Sequence, residues 1–292
     1  MIHFDVDKKI YGDYHTHTVG SDGENSASEM ICAAKEQGLQ EVAITDHGPR
    51  KIKGLKVKHW ARVRAEAERA SAENEIKTYF GIESNIVGTD GKIDVPQNEL
   101  GNLDILLMGV HCVVRPANLK TLFGFFIPNW FWCALRWTPK RRIKKNTEIA
   151  KRAIMNNDID IWTHPNRYFK LNVLEVAKVC AERGTLVELN GKRISFRPID
   201  FERMLAVGAK FIISSDSHST RQVGHADRVF EFLKYCDYKD GDIINLTGTF
   251  KKGSYTAKAA DKQKTNETGG ENEFHSGNKK RTDKKHGKKN KK

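Results

Sequence analysis

Short apolar runs alternate with amphipathic stretches through most of this chain. The apolar runs have the length of β-strands, and the stretches between them repeat their apolar residues at helical spacing. Strands that alternate with helices form a parallel sheet with right-handed crossovers, and seven such units can close or nearly close a barrel. A chain of 292 residues can bury one such core. We therefore expect an α/β protein whose residues 1–250 form a (β/α)7 barrel.

The turn and capping residues divide this pattern into elements. Ser26 with Glu29 predicts a capping box at the start of the first helix, and Gly38, Gly184 and Gly208 predict helix ends. The predicted strands cover residues 12–17, 41–46, 77–83, 103–110, 159–163, 186–189 and 211–214. The predicted helices cover residues 26–37, 57–72, 144–156, 173–183, 199–206 and 222–234.

The net charge of +13 is concentrated at one end of the chain. Residues 251–292 contain 14 Lys or Arg and 5 Asp or Glu, whereas residues 1–250 contain 36 and 32. A segment so rich in Lys, Gly, Asn and Thr cannot bury enough apolar surface to fold, so we expect a disordered basic tail. The nearly neutral body gives no reason to expect a nucleic-acid-binding face, although the tail could contact nucleic acid.

Residues 115–142 interrupt the alternation with many aromatic side chains. The charge-free run within them, residues 121–135, is 15 residues long and contains Pro128, so it is too short and too broken to span a bilayer. Three roles remain open for this segment: a lid or wall over the mouth of the barrel, a peripheral membrane contact through residues 121–137, or a dimer contact.

The cysteines predict a reducing compartment. Five cysteines are scattered without a CxxC pair or a framework spacing, and the N-terminal residues lack the basic and apolar regions of a secretory signal. We therefore expect a cytoplasmic protein. Cys112 directly follows a histidine of interest, but a buried small apolar residue is the ordinary explanation for such a cysteine.

Histidines and carboxylates recur at the C-terminal ends of the predicted strands. In a parallel barrel all these ends lie on one rim, where barrel enzymes place their active sites. One histidine at a strand end is usually a hydrogen-bonded surface residue, but six of the 11 histidines lie at such ends. The candidate metal ligands are His15, His17, Asp22, His47, Glu83, His111, His164, Asp216 and His218.

This set of side chains suits a hydrolytic metal centre. Imidazole binds zinc and iron, and carboxylates extend the choice to manganese. Glu83 could bridge two ions through its two oxygens. Two ions about 3.5–4 Å apart can activate a water and stabilise the entering and leaving oxygens of a phosphoester. No serine triad, cysteine nucleophile, Walker loop or dinucleotide fingerprint competes with this interpretation.

The motifs around these residues resemble the polymerase and histidinol phosphatase (PHP) family. They are Asp13-Tyr-His-Thr-His-Thr18 with Ser21-Asp-Gly23, Thr45-Asp-His-Gly48, Glu83, His111, Thr163-His-Pro165 and Ser215-Asp-Ser-His218. The resemblance spans residues 11–235. It implies a distorted (β/α)7 TIM-like barrel with a trinuclear metal site. With the donor chemistry above, we expect two or three divalent ions, Zn, Mn or Fe. Gly48-Pro49 after the Thr-Asp-His motif resembles the phosphatase-type branch.

The resemblance also implies a ligand set for each ion. His15, His17, Glu83 and Asp216 would hold one, and Glu83, His111 and His164 a second, with Glu83, Asp216 and His164 central to catalysis. Asp22, His47 and His218 would hold a third. Some family members have a histidine one position after Asp22, where this chain has Gly23.

Phosphate recognition is expected to use cations close to the rim, because guanidinium groups match phosphate oxygens bidentately. Arg167, Arg193 and Arg221 follow three of the strand-end motifs, and Asn190 ends the sixth strand, where it could orient a ligand or substrate.

Three functions compete. The first is hydrolysis of a small phosphomonoester such as histidinol phosphate. The second is a nuclease or oligonucleotide phosphodiesterase assisted by the basic tail. The third is a non-catalytic metal-binding or membrane-associated module, which the complete ligand set argues against.

Overall fold

Seven parallel strands form a single sheet in chain order, so each strand pairs with the next one along the sequence. The computed structural model describes residues 9–252. The prediction of a distorted (β/α)7 TIM-like barrel is confirmed. The strands are β1 (Gly12–Thr16), β2 (Glu41–Ile44), β3 (Lys77–Asn85), β4 (Ile105–Gly109), β5 (Ile161–Trp162), β6 (Leu186–Asn190) and β7 (Phe211–Ser214).

Helices connect the strands and cover the outside of the sheet. They are α1 (Ala27–Glu36), α2 (Trp60–Asn74), α3 (Leu119–Thr121), α4 (Ile127–Ala134), α5 (Lys140–Asn156), α6 (Val173–Arg183), α7 (Pro198–Ala206), α8 (Asp227–Leu233) and α9 (Ile244–Thr247). Short 3₁₀ turns cover Val57–His59, Gln97–Asn102 and Thr220–Gln222, and a π-helical turn covers Leu122–Phe126. None of the helices between residues 9 and 252 is both long and apolar enough to cross a membrane.

Local signals explain several helix boundaries. The predicted capping box is present: the Ser26 hydroxyl accepts from the Glu29 amide, and the Glu29 carboxylate accepts from the Ser26 amide. Gly184 ends α6 in the left-handed conformation with φ of 74°. The predicted first residues of two helices were wrong. The fifth helix begins at Lys140 rather than residue 144, and α8 begins at Asp227 rather than residue 222, because Thr220–Gln222 forms a separate 3₁₀ turn.

The barrel interior is apolar below and polar above. Its lower layer consists of Tyr14, Ala43, Ile105, Leu107, Ile161, Leu186, Ile212 and Phe250. One strand face carries both layers, since residues two apart along a strand point the same way. On β6, Leu186 is therefore below and Glu188 above, both fully buried.

An irregularity in β1 sets the direction of its histidines. Asp13 pairs with Val42 but Thr16 pairs with Ile44, so β1 contains one more residue than β2 over this interval. An extra residue of this kind re-aims the side chains that follow it. Tyr14 consequently fills the lower layer, while His15 and His17 both reach the polar rim.

Side chains close the barrel where β1 meets β7. Between these two strands the described residues form an isolated bridge, Thr16 with Ser217, instead of a strand ladder. Near the rim, the Asp13 carboxylate accepts from the amides of Ser215 at 3.0 Å and Gly224 at 2.9 Å. Burial raises the pKa of Asp13, and these hydrogen bonds oppose that shift.

At the lower end of this seam between β1 and β7, hydrogen bonds of the Asn245 side chain take the place of strand pairing. Its side-chain amide donates to the carbonyls of Gly12 at 2.8 Å and Ile213 at 2.7 Å, and its side-chain oxygen accepts from the Ile213 amide at 3.0 Å. Asn245 is fully buried. At this end, the barrel is therefore closed by the side chain of one asparagine from α9.

The aromatic segment folds as helix. Residues 115–142 contain α3, the π-helical turn and α4, and α5 begins within them. Asn129 and Asn146 exchange two buried amide hydrogen bonds, at 2.9 and 2.8 Å, and so hold α4 against α5. The lysine-rich tail from residue 253 onward lies outside the described residues.

Replacing Asn245 with alanine tests the seam. The substitution leaves two carbonyls and one amide of β1 and β7 without their partner, and unsatisfied buried groups cost about 1–3 kcal/mol each. We expect the free energy of unfolding in urea to fall by roughly 3 kcal/mol. Asn98→Ala, at an exposed asparagine bonded to Glu99, should change it by less than about 0.5 kcal/mol. Equal effects of the two substitutions would contradict this account of barrel closure.

Candidate metal centre

The nine side chains predicted as ligands converge at the carboxyl ends of the strands. Seven of them are nearly or fully buried, and the other two, Asp22 and His218, are 21% and 28% exposed at the edge of the cluster. Ring-centroid distances of 4.1 to 4.9 Å link the six histidines in a chain. The adjacent pairs are His15–His17, His17–His47, His17–His218, His47–His111 and His111–His164.

Two of these residues adopt an unfavourable backbone conformation. His164 has φ of 30° and Asp216 has φ of 55°, values uncommon for residues with a side chain. Each lies two residues beyond the end of a strand, β5 for His164 and β7 for Asp216. Strain of this kind persists where the surrounding contacts over-determine the conformation, and it clusters at functional sites.

Glu83 lies at the centre of the cluster and is fully buried. Its Oε1 atom lies 2.7 Å from His164 Nε2 and 3.4 Å from His111 Nε2, and it accepts a hydrogen bond from the Thr163 hydroxyl at 2.8 Å. This oxygen therefore faces the histidines of β4 and β5.

The second oxygen of Glu83 faces a different set. Its Oε2 atom lies 2.7 Å from His47 Nδ1, 3.4 Å from His15 Nε2 and 3.7 Å from His17 Nε2. Among the described residues it has no hydrogen-bond partner of acceptable geometry, and neither does His47 Nδ1. A buried carboxylate oxygen without a donor, surrounded by imidazole nitrogens, fits a site for a cation.

Asp216 also divides its two oxygens. Its Oδ1 atom lies 3.6 Å from His17 Nε2, 3.9 Å from His15 Nε2 and 3.6 Å from His218 Nδ1. Its Oδ2 atom accepts from Arg167 at 3.1 Å. The first oxygen thus belongs to the imidazole cluster and the second to its rim.

Asp22 joins the cluster through two histidines. Its Oδ1 atom lies 3.3 Å from His47 Nε2 and 3.4 Å from His218 Nε2 and has no hydrogen-bond partner of acceptable geometry in the described chain. The neighbouring Gly23 allows no side chain, because a Cβ there would lie 2.4 Å from the His17 carbonyl oxygen. The histidine that some family members have at this point could not fit this loop.

Possible coordinating atoms form three overlapping groups within 4.8 Å. They are His17, Asp22, His47 and His218; His15, His17 and Glu83; and His47, Glu83 and His111. These groups differ in part from the predicted sets. His17 and His47 each belong to two of them, whereas His164 and Asp216 belong to none. The donor chemistry of all three, imidazole with carboxylate, fits zinc, iron or manganese.

Two histidines of the cluster are in the neutral form in which an imidazole can bind a metal ion. Burial lowers the pKa of His111 to about 3 and that of His17 well below its usual value, so both imidazoles are neutral at neutral pH. Burial alone would raise the pKa of Glu83, but the surrounding imidazoles, His111 foremost, hold it well below its usual range. Glu83 is therefore ionised and requires positive charge beside it.

Glu188, which no sequence motif indicated, supports two of the candidate ligands. Its Oε1 atom lies 2.6 Å from His15 Nδ1, and its Oε2 atom accepts from the His164 amide at 2.6 Å. Asn190 donates to Glu188 at 3.0 Å and to Asp216 at 3.2 Å. Burial alone would lower the pKa of His15, but Glu188 with the other carboxylates raises it well above its usual value. The signal available was an acidic residue at an interior position of a buried strand.

Two lysines at the rim were also missed. Lys51 contacts His47 and Asp22, the latter at 3.1 Å. Lys192 Nζ lies 2.7 Å from His218 Nδ1 and 3.5 Å from Asp216 Oδ1. Long flexible side chains give no periodic signal, and only the folded loops bring them here.

The predicted substrate-binding residues separate into two groups. Arg167 and Asn190 contact Asp216 and lie at the rim. Arg193 is exposed and contributes its backbone amide to Asn190 Oδ1 at 3.1 Å. Arg221 is 86% exposed and lies 4.0 Å from Glu24. The structure thus brings Arg167 and Asn190 to the cluster and leaves the side chains of Arg193 and Arg221 on the surface.

Residues 13–251 match the PHP domain. This chain belongs to the PHP domain family. The match covers the barrel and all nine candidate ligands, so the predicted resemblance is confirmed.

Two similar proteins are named probable phosphatases. One from Acetivibrio thermocellus is 27% identical over 249 residues, with 82% of this chain and 92% of the relative covered. One from Thermoanaerobacter sp. (strain X514) is 26% identical over 275 residues, covering 91% and 100%.

Solved structures resemble this PHP domain in fold. Histidinol phosphate phosphatase from Lactococcus lactis, complexed with zinc, L-histidinol and phosphate, has a TM-score of 0.52 at 15% identity, covering 84% of this chain and 99% of its own. A histidinol phosphatase structure from Listeria monocytogenes has a TM-score of 0.50 at 12% identity, covering 75% and 99%. These structures show the shared fold. The family match and the named relatives confirm the predicted class of enzyme, a phosphoric ester hydrolase.

Replacing Glu188 with glutamine tests its positioning role. The substitution keeps the side-chain size but removes the charge that orients His15, and losing such a partner typically weakens metal binding about 10- to 100-fold. We expect that loss of zinc affinity in competition with a chromophoric chelator. Glu175→Gln, at a carboxylate of α6 that is 42% exposed, is the matched control. Unchanged affinity in Glu188→Gln would remove Glu188 from the metal centre.

Proposed function

We propose that this PHP domain protein hydrolyses a small phosphomonoester in a metal-dependent reaction. The observation that carries the proposal is the carboxylate of Glu83, which presents one oxygen to His111 and His164 and the other to His15, His17 and His47. A buried carboxylate with imidazoles on both oxygens is suited to hold two cations at once.

The proposed ligand sets follow the family resemblance. His15, His17, Glu83 and Asp216 would hold one ion, and Glu83, His111 and His164 would hold a second. Asp22, His47 and His218 would hold a third, with His17 close to the same three side chains. When bound, zinc, manganese or iron ions would lower the pKa of a water and stabilise charge on phosphoryl oxygens.

The remaining rim residues are proposed to bind and orient the substrate. Arg167 and Lys192 contribute positive charge next to Asp216, at 24% and 29% exposure, so a phosphate reaching the rim would meet both. Asn190 donates its side-chain amide to Oδ2 of Asp216, the same oxygen that accepts from Arg167. Tyr168, whose ring lies 5.6 Å from those of His111 and His164, forms one wall.

The proposed substrate class rests on the positive charge at the rim and on the ligands of a similar structure. The Lactococcus lactis structure contains L-histidinol and phosphate, so histidinol phosphate or a similarly small phosphomonoester is the substrate we propose. A phosphodiesterase acting on nucleic acid would use the basic tail, which lies outside the described residues. The five cysteines are all free, which supports the proposed cytoplasmic location.

Loss of central ligands tests the proposed activity. Metal-loaded protein should release phosphate from p-nitrophenyl phosphate, and Glu83→Gln or His164→Ala should lower kcat at least about 100-fold, because each removes a group at the proposed metal bridge. Glu175→Gln should retain full activity. Turnover of a phosphodiester without phosphomonoester hydrolysis, or equal rates in wild type and Glu83→Gln, would reject the proposal.

A second pair of variants tests which arginine binds phosphate. Arg167→Gln removes a cation from the rim, and a hydrogen bond to a charged group contributes about 1.5–3 kcal/mol, so kcat/KM should fall roughly 10- to 100-fold. Arg193→Gln, at a side chain that is exposed although it lies three residues after Asn190, should change kcat/KM less than about twofold. The reverse pattern, measured with p-nitrophenyl phosphate, would restore Arg193 as the substrate ligand.

A further inference from the structure

An apolar stripe runs along the exposed side of the α3–α4 segment. Phe123, Ile127, Phe131 and Leu135 follow one another at intervals of four residues and are 64%, 39%, 56% and 55% exposed. Side chains four residues apart share a helix face. Contiguous exposed apolar side chains of this size mark an interaction surface rather than ordinary surface composition.

The opposite side of the same segment is firmly packed. Phe125 and Phe126 are each 1% exposed and pack against Phe169 at centroid distances of 5.5 and 6.2 Å. Trp130 donates its indole N–H to the Cys112 carbonyl at 2.8 Å, next to the candidate ligand His111. The stripe is therefore presented on a fixed support, and it is not the core-facing side of the helix.

A basic cleft of about 460 Å³ adjoins the stripe. Gly124, which follows Phe123 in the chain, lines this cleft, so the cleft and the stripe share a border. Five cations line it, namely Lys120, Arg141, Lys144, Lys145 and Arg152. Its acidic lining residue, Glu148, accepts a hydrogen bond from Lys151 at 3.0 Å.

The positive charges in this cleft repel one another. Burial, followed by the charges of Arg142, Arg141 and Lys120, lowers the pKa of Lys145. The Arg142 guanidinium donates to the Gly124 carbonyl at 2.8 Å rather than to a carboxylate. A cleft with this excess of positive charge suits an anionic group such as a phosphate.

We propose that this face docks on an anionic membrane surface, with the apolar stripe in the interfacial layer and the cleft on lipid phosphate groups. An amphipathic helix with aromatic side chains on one side and cations beside it lies in the plane of a bilayer interface. A second copy of the chain fits less well, because a two-fold contact would bring two cationic clefts together. The stripe is too short to cross the bilayer.

Tryptophan fluorescence can test this docking separately from the basic tail. Trp60 and Trp162 are buried, at 4% and 1% exposure. Trp130 belongs to α4 and is 39% exposed, and Trp137 follows that helix and is 60% exposed. The tail contains no tryptophan. A blue shift in emission and quenching by lipids spin-labelled on their acyl chains would therefore report insertion of this segment.

The experiment compares the full chain on two kinds of vesicle, phosphatidylcholine alone and phosphatidylcholine with an equal part of phosphatidylglycerol. We expect quenching that is stronger on the anionic vesicles. Phe123→Ser with Phe131→Ser should abolish quenching on both. Lys144→Gln with Lys145→Gln should weaken partitioning to anionic vesicles roughly 30-fold, because each lysine near such a surface contributes about fivefold.

Matched controls come from exposed residues elsewhere on the barrel. Tyr235→Ser, at an aromatic side chain that is 75% exposed, controls for the lost apolar surface. Lys178→Gln with Lys234→Gln, at two exposed lysines, controls for the lost charge. Both control variants should partition as the wild type does.

Three results would overturn the proposal. One is vesicle flotation without tryptophan quenching, which would assign binding to the tail. Another is equal quenching in the Phe123→Ser, Phe131→Ser variant and the wild type. The third is a dimer in sedimentation equilibrium that this variant converts to a monomer while vesicles cause no quenching, since a second copy would then cover the stripe. The proposal concerns binding alone and does not depend on phosphatase activity.

Discussion

A fully buried carboxylate surrounded by five imidazoles is the constraint on which the rim of this barrel depends. Glu83 cannot remain ionised in such a place without positive charge on both of its oxygens, because an unpaired buried charge is very costly. The neighbouring histidines place ring nitrogens beside both of its oxygens, at 2.7 to 3.7 Å. Glu188 and Asp216 extend the same charge pattern to the outer side of His15 and to the rim. Metal ions are the species that satisfy this arrangement with these donors.

The barrel must hold its strand ends close together to maintain that cluster. Where β1 and β7 lack a ladder, Asp13 near the rim and Asn245 near the base provide the missing hydrogen bonds. The extra residue in β1 then places His15 and His17 on the rim and Tyr14 in the apolar layer. Two local departures from regular strand geometry thus position the ligands that the first ion would need.

Strand alternation and motif order were sufficient to predict the barrel and the convergence of the nine candidate ligands, since parallel strands bring all their carboxyl ends to one rim. Contacts that depend on the closed barrel could not be predicted in this way. Glu188 is one interior residue of a short buried strand, and its partners come from β1 and the loop after β5. Lys51 and Lys192 reach the rim through flexible side chains, whereas Arg193, adjacent to Lys192 in sequence, stays exposed. Asn245 follows the last strand and has no motif around it.

Anomalous diffraction from a crystal of the metal-loaded protein would show directly whether Glu83 holds a metal ion on each of its oxygens. We expect at least two ions, one within coordination distance of each Glu83 oxygen, with the Oε1 ion also bound by His111 and His164. A single ion confined to Asp22, His47 and His218, with no ion on Glu83, would contradict this expectation.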